Sequence, residues 1–515
     1  MKRLRSLLDV DTGTFAVVFL WLMTIGPSSL LRDPGTFWHV KVGERILASG
    51  EAMRVDPFSA THAGEPWVPV GWLAECVLAM FHAVAGLDSL LLATAASLAF
   101  FFAWMARRAS ARGLQAPLVV LLVVLAVAAS SNHFHPRPHL ASIFLMAWTF
   151  ARLADFEAGR LPVAGLVWLA PMVALWTNLH GGVVGGLATM VLCAGLWALA
   201  ALLGLPSPLG DRRRFALVTL VGLACLTAVL VTPYGFELPR IWFQLLDSPV
   251  LPDLIVEHAP LDASTASGRL LLGLALLYVA ALAGVPLRKW RATWLVPLVW
   301  FALTCSRIRN GPLFAVTAVL ALAEMYREIG WMRWMEAQGS ELVRPRPAVE
   351  AAAYEGRDGR TALVAALMVG VCLFLQVAGV AVPVIGSGWA KPDARYWPVD
   401  MLPELTAFER EHPDGAVFNE MLFGGFLIYY TPSLKVFIDD RCELYGDERL
   451  LEYKQAISGE TALFDEWTDR YGFGIALSMA GSRFDTWLRG SPKWELSKEN
   501  AVASLFQRRP GGREP

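Results

Sequence analysis

Apolar runs of membrane length recur along the first three quarters of the chain, each closed by a short polar segment. Runs at 14–31, 88–106, 114–131, 139–154, 162–178, 182–203, 214–232, 270–286, 292–306, 312–326 and 361–385 predict about eleven spanning helices, since about 20 apolar residues cross a bilayer as helix. The run at 72–85 is also apolar, but it holds Glu75 and His82 and is expected to lie along the interface. Beyond 386 the pattern changes to short strand and helix signals. Strands are expected at 416–419, 435–439 and 494–496, and helices at 402–411, 424–430, 447–457 and 461–471. The fold class is therefore a polytopic α-helical membrane protein with a C-terminal soluble α/β domain, divided as 1–385 and 386–515.

Basic residues orient the spans. Lys2, Arg3 and Arg5 precede the first run and keep its amino end in the cytoplasm by the positive-inside rule. No small-residue cleavage site follows that run, so it reads as a retained span of an inner-membrane protein rather than a signal peptide. Counting onward, Arg107-Arg108, Arg152 with Arg160, Arg212-Arg213-Arg214, Arg288-Lys289 with Arg291, and the linker 327–360 all fall inside. The first loop 32–87, the segments 132–139, 177–182, 233–269 and 307–311, and the whole C-terminal domain then lie outside.

Composition agrees with this reading. The chain is 55% hydrophobic and only 17% charged, with a mean hydropathy of +0.47, as a polytopic protein requires. A net charge of -1 gives no reason to expect nucleic acid as a partner. The six cysteines form no spacing framework and read as free thiols. Charges stop at the span ends, whereas ion-coupled transporters place ionisable groups at the bilayer midplane. That favours an enzyme whose pocket opens on one face. All nine histidines fall on the outer side, which suggests a polar site there.

The outer segments carry the candidate chemistry. At 132–139, two prolines stiffen a turn that sets Arg137 among His133, His135 and His139, an arrangement suited to a phosphate. A metal held by His133, His135 and Asp33 is the alternative. Asn178 and His180 precede Gly181-Gly182, a pair that permits close approach of either a helix or a ligand. Arg307 and Arg309 stand where positive charge is disfavoured, so an acid or a phosphate should pair with them. Glu257 and His258 are candidates for that pairing or for substrate contact. In the C-terminal domain, Asp439, Asp440 and Arg441, with Glu443 and Tyr445, follow a buried-type strand. They read either as solvated ion pairs or as a surface for acceptor recognition or docking. Gly424-Gly425 lacks the spacing of a phosphate loop.

Asp33-Pro34-Gly35-Thr36-Phe37-Trp38-His39 with Asp56-Pro57-Phe58-Ser59, then His135-Pro136-Arg137-Pro138-His139, Asn178-Leu179-His180-Gly181-Gly182 and Thr232-Pro233-Tyr234-Gly235, resemble the GT-C superfamily of membrane glycosyltransferases, and more narrowly a bacterial group of glycosyltransferase-like membrane proteins. The resemblance implies a polyprenyl-phosphate-linked sugar donor and a glycan, lipid or protein acceptor. It further implies Asp33 as general base, Arg137 with His135, His139, Arg307 and Arg309 on the donor phosphate, and Trp38, His39, Asn178, His180, Glu257 and His258 as substrate contacts. Many members carry paired acids in the first loop and another acid after the third span. Here Asp33 has no acid two residues away, and the second turn has histidines and Arg137. A divalent metal is accordingly possible but not required. A lipid or polysaccharide transporter and a non-catalytic assembly partner are the competing readings.

Overall fold

Seven helices among the described residues are long and apolar enough to cross a membrane: Val10–Ser29, Leu87–Ala111, Ala116–His133, Val183–Leu202, Ala266–Ala283, Ile308–Glu328 and Gly359–Val377. This computed structural model describes residues 9–354 and 358–509, so Lys2, Arg3 and Arg5 lie outside the described residues. The other four expected spans coincide with His139–Glu157, the shorter apolar helices Val163–Leu179 and Ala292–Ser306, and Arg212–Ala228. The first span starts earlier than expected and carries Asp11 into the bundle, where Thr361 donates its hydroxyl to the carboxylate at 3.1 Å.

Charge is kept at the two ends of the bundle. At the end away from the C-terminal domain, Arg108, Arg112 and Arg160 share the carboxylates of Asp155 and Glu324 at 2.6–3.4 Å. Three helices are thereby tied at one level. At the other end, Asp88 accepts the backbone N–H groups of Gly388 and Ala390 at 2.6 and 2.8 Å, fixing where the chain leaves its last span. The Trp72–Ala85 helix crosses the Pro34–Ser49 helix closely. A Cβ added at Gly43 would stand 2.0 Å from the Glu75 carbonyl oxygen.

The C-terminal domain is α/β, as expected, but its sheet has five strands rather than three. β1 (Ala416–Asn419), β2 (Lys435–Val436), β3 (Ile475–Met479), β4 (Trp494–Glu499) and β5 (Ala503–Arg508) lie in the order β2-β1-β3-β5-β4. β1 runs parallel to β2 and β3, whereas β5 is antiparallel to β3 and β4. β2 stops short of the expected 439 because the Asn419 side chain takes over the ladder. Its Oδ1 accepts from Phe437 N–H at 2.8 Å and its amide donates to the Ile438 carbonyl at 2.7 Å.

The first loop docks on this domain in three ways. It covers the β2 edge, with Val436 N–H donating to the Phe58 carbonyl and Ala60 N–H to the Val436 carbonyl, which removes an exposed strand edge. The Met421–Tyr430 helix lies against Pro34–Ser49, where a Cβ on Gly425 would meet the Pro34 carbonyl at 2.1 Å. Gly424-Gly425 is therefore a close-packing device. Finally, Arg441 is fully buried between Asp439 and Asp56, with Nη contacts of 2.6 Å to each. Tyr445 donates its hydroxyl to Asp439 at 2.9 Å, and Asp56 accepts the backbone N–H groups of Phe58 and Ser59. Asp439, Arg441 and Tyr445 thus form an interdomain lock, not solvated loop charges.

Burial pushes the Asp56 carboxyl upward, but the Arg441 charge and the hydrogen bonds from Ser59, Arg441 and Phe58 outweigh it, leaving it below its ordinary range. Its contribution to stability is full above the ordinary carboxylate range and is lost as pH falls through the lowered value. Arg441→Met strands two buried carboxylates and should cost about 3–5 kcal/mol. Unfolding of the purified chain and earlier proteolytic release of the C-terminal domain would report it, whereas unchanged stability would show that the lock is not ionic.

Candidate functional site

Asp33, Pro34 and Gly35 begin a helix in the order that helix starts favour. Asp33 is the N-cap, its Oδ1 accepting Gly35 N–H at 2.7 Å, and proline occupies the first turn. The second oxygen faces outward from the cap and accepts from Arg137 Nη1 at 2.7 Å. Gly35 allows this approach, since a Cβ there would lie 2.9 Å from Arg137 Nε. Arg137 stands in the turn before the His139–Glu157 helix, its own N–H bonded to the His135 carbonyl at 2.7 Å.

Two more carboxylates flank the same guanidinium: Glu257 at 3.9 Å from Nη1 and Asp440 at 3.9 Å from Nη2. Four segments of the chain, from the first loop to the C-terminal domain, therefore meet at one cation. Burial disfavours the Arg137 charge, but Asp33, Glu257 and Asp440 outweigh it and drive its pKa up. Burial would likewise raise Glu257, yet Arg137 and the neighbouring cationic groups hold it well below the carboxylate range. Asp440 goes the other way. Burial, together with the nearby charges of Asp33 and Asp439, exceeds the opposing pull of Arg137 and the Trp38 hydrogen bond and raises it to about 7.

A second cation stands beside this cluster. Arg309 donates from Nη1 to His258 Nε2, so the His258 proton sits on Nδ1, which is buried without a partner. Burial, with Arg309 and Arg307, pushes His258 down to about 3, and the imidazole is neutral. Among the described residues, Arg309 has no carboxylate within ion-pair distance. Arg307 is directed elsewhere, donating to the Leu246 carbonyl at 2.8 Å.

Several expected contacts are occupied with structural work. Asn178 accepts from Trp72 Nε1 at 2.8 Å and donates to the Ala174 and Val231 carbonyls. His180 Nδ1 accepts from the Ser142 hydroxyl and from Gly182 N–H; burial, Arg309 and Arg137 lower it to about 3. Gly181 and Gly182 pack tightly against Trp242 and Ser142, which settles the pair as packing. His135 contacts the Leu30 and Asn132 carbonyls, away from Arg137. His139 Nε2 meets the His133 carbonyl at 2.6 Å. Trp38 is 3% exposed and donates Nε1–H to Asp440 at 2.8 Å, so it presents no open face to a sugar. His39 pairs with Glu75 at 2.9 Å in a fully buried position. Sequence reasoning used Glu75 only to lay its helix along the interface, and the structure makes it the partner of His39.

The metal alternative finds no support in the donor set. Asp33 and Glu257 already share the Arg137 charge, and among the described residues no group of three or more His, Cys, Asp or Glu side chains is arranged to hold a metal ion.

No family model and no curated protein matches the sequence. Solved structures do match in fold. The archaeal oligosaccharyltransferase AglB of Archaeoglobus fulgidus, in complex with an inhibitory peptide and a dolichol-phosphate, superposes with a TM-score of 0.56 at 10% identity, over 91% of this chain and 69% of that one. ArnT of Cupriavidus metallidurans, bound to undecaprenyl phosphate, gives 0.54 at 14% identity over 97% and 98%. The Archaeoglobus enzyme tethered to an acceptor peptide gives 0.52 at 12% identity over 91% and 69%. The chain is thus similar in fold to these solved structures, and the likeness shows a polytopic fold of their kind.

A double-mutant cycle on Asp33→Asn and Arg137→Gln should give a coupling of about 1–3 kcal/mol in unfolding free energy, as expected for directly paired groups. Additive effects would place the two side chains apart.

Proposed function

We propose that the protein is an inner-membrane glycosyltransferase that moves a sugar from a polyprenyl-phosphate donor to a glycan, lipid or protein acceptor on the outer face. The observation that carries this reading is the meeting of Asp33, Arg137, Glu257 and Asp440 at one end of the bundle, on a fold whose solved neighbours hold dolichol-phosphate or undecaprenyl phosphate. Soluble nucleotide sugars are confined to the cytoplasm, so an outward site calls for a lipid-delivered donor.

The residues support a division of labour. The acceptor oxygen attacks the anomeric carbon while a carboxylate of the cluster takes its proton, and the bond from that carbon to the phosphate oxygen breaks with its electron pair on polyprenyl phosphate. Arg309 and the His258 Nδ1–H offer uncommitted donors to that developing charge, with Arg137 next to them. An apolar groove of about 720 Å³ runs between the Leu87–Ala111, His139–Glu157 and Leu169–Leu179 helices, lined by Phe100, Trp104, Phe144, Trp148 and Trp168 among others. Two of these helices have His139 and His180 at their site-side ends, which suits the groove to the lipid chain. A non-catalytic assembly partner is the second reading, favoured by the closed Asp33–Arg137 pair.

Asp33→Asn should lower sugar transfer by about 100-fold or more, because Arg137 loses its nearest anion and a misplaced active-site group costs about that much, while the chain still folds and binds undecaprenyl phosphate. Full activity in the variant, measured with a labelled lipid-linked sugar, would remove Asp33 from the site, whereas no transfer by the wild type would support the assembly-partner reading. Arg309→Ala should weaken undecaprenyl phosphate binding about tenfold or more, since a charged hydrogen bond contributes about 1.5–3 kcal/mol; unchanged affinity would remove Arg309 from the donor site. Accessibility tags at Ala263 and the C-terminus should report the outer compartment and a tag at Lys289 the cytoplasm; a cytoplasmic C-terminus would refute the sidedness.

A further inference from the structure

The three carboxylates around Arg137 are not equivalent. Both oxygens of Asp33 are spent, one on Gly35 N–H and one on Arg137, each at 2.7 Å. Glu257 is held as a firm anion by the surrounding cations, which makes it a weak proton acceptor. Asp440 is different. Its Oδ1 accepts from Trp38, while Oδ2 stands 3.9 Å from Arg137 Nη2, beyond hydrogen-bond length. Its position is also stiff, because the flanking Asp439 and Arg441 side chains are buried in the interdomain lock.

We propose that Asp440, carried by the C-terminal domain, accepts the proton of the acceptor hydroxyl, and that Asp33 is a positioning residue that holds Arg137. The inference rests on the transferase reading. In the step, the acceptor O–H bond breaks and its proton moves to Asp440 Oδ2. The oxygen bonds to the anomeric carbon, and polyprenyl phosphate leaves with the electron pair of the broken bond. Asp440 then returns the proton to solvent.

The electrostatics fit this role. Asp440 is faced by Arg137, Asp33 and Asp439, with Trp38 donating to it; Cys442 and Glu443 follow on the same segment and Glu257 stands across Arg137. Their net effect leaves it at about 7, near working pH, where a general base is most effective. A base must be deprotonated, so the rate should rise with pH through about 7 and then level.

The test uses the full chain in lipid nanodiscs, with undecaprenyl phosphate carrying radiolabelled glucose, mannose or N-acetylglucosamine. Sugar release is followed from about pH 5 to about pH 9. The wild type should show the rising limb. Asp440→Asn should be slower by about 100-fold or more and lack the limb, Asp440→Glu should regain part of the rate with the limb displaced, and Asp33→Asn should be slow with the limb intact. If Asp440→Asn keeps the limb or most of the rate, the proposal is overturned while the transferase reading stands. Should that variant fail to fold, Asp440→Glu decides: a displaced limb supports the proposal and an unmoved one overturns it. If the wild type releases sugar from no donor, the transferase reading falls and the proposal falls with it.

Discussion

One buried guanidinium organises the face that carries the site. Arg441 neutralises Asp439 from its own domain and Asp56 from the first loop, the latter 385 residues away along the chain. Such a bridge is weak as a source of net stability, because desolvation offsets most of its attraction. It is strong as a constraint, because any arrangement that separates the partners leaves a bare buried charge. Loss of Arg441 would leave two buried carboxylates unpaired, one beside the loop that covers β2 and one next to Asp440.

The histidines acquire a different meaning from the one their number suggests. Gathered on one face, they promise positive charge. Burial removes that promise at His180 and His258, which stay neutral, and His39 is likewise held low by burial beside Arg137. Charge at the site comes from Arg137 and Arg309, and His39, His180 and His258 serve as neutral hydrogen-bonding supports. Arginine fits this task because its charge persists in a desolvated setting where an imidazolium would not.

Spans were legible because lipid demands long apolar runs with little room for ambiguity. The ends were less so, as the extension to Asp11 illustrates: a single acid with one oxygen bonded by Thr361 sits inside a helix that hydropathy cuts short. In the C-terminal domain, β3 and β5 went unseen because a short buried run carries no alternation to distinguish strand from helix. The site residues Asp33, Arg137, Glu257 and Arg309 were legible as charges in awkward places. Their pairings were not, because contacts 51 or 104 residues apart in the chain leave no local trace. The Asp439-Asp440-Arg441 run is instructive. It forms a bend in which Asp439 Oδ1 accepts Arg441 N–H at 2.9 Å, so the outer two side chains lock the domains while the middle one reaches Trp38 and Arg137.

The glycine contacts along the Pro34–Ser49 helix bear on how substrates could reach this site. Gly43 meets the backbone at Glu75, and Gly425 meets the backbone at Pro34, so this helix is gripped on two sides by main chain with no side chain left to yield. The opposite wall packs Val250 and Leu251 into the apolar core of the C-terminal domain and adds polar contacts from Lys454 to Asp253 at 2.6 Å, Ser248 to Asp447 at 2.5 Å and Arg54 to Glu237 at 3.1 Å. Both walls of the site are therefore packed, and the one that bears Glu257 differs in being held through side chains, which can repack around a bulky acceptor, where the other is held by main chain.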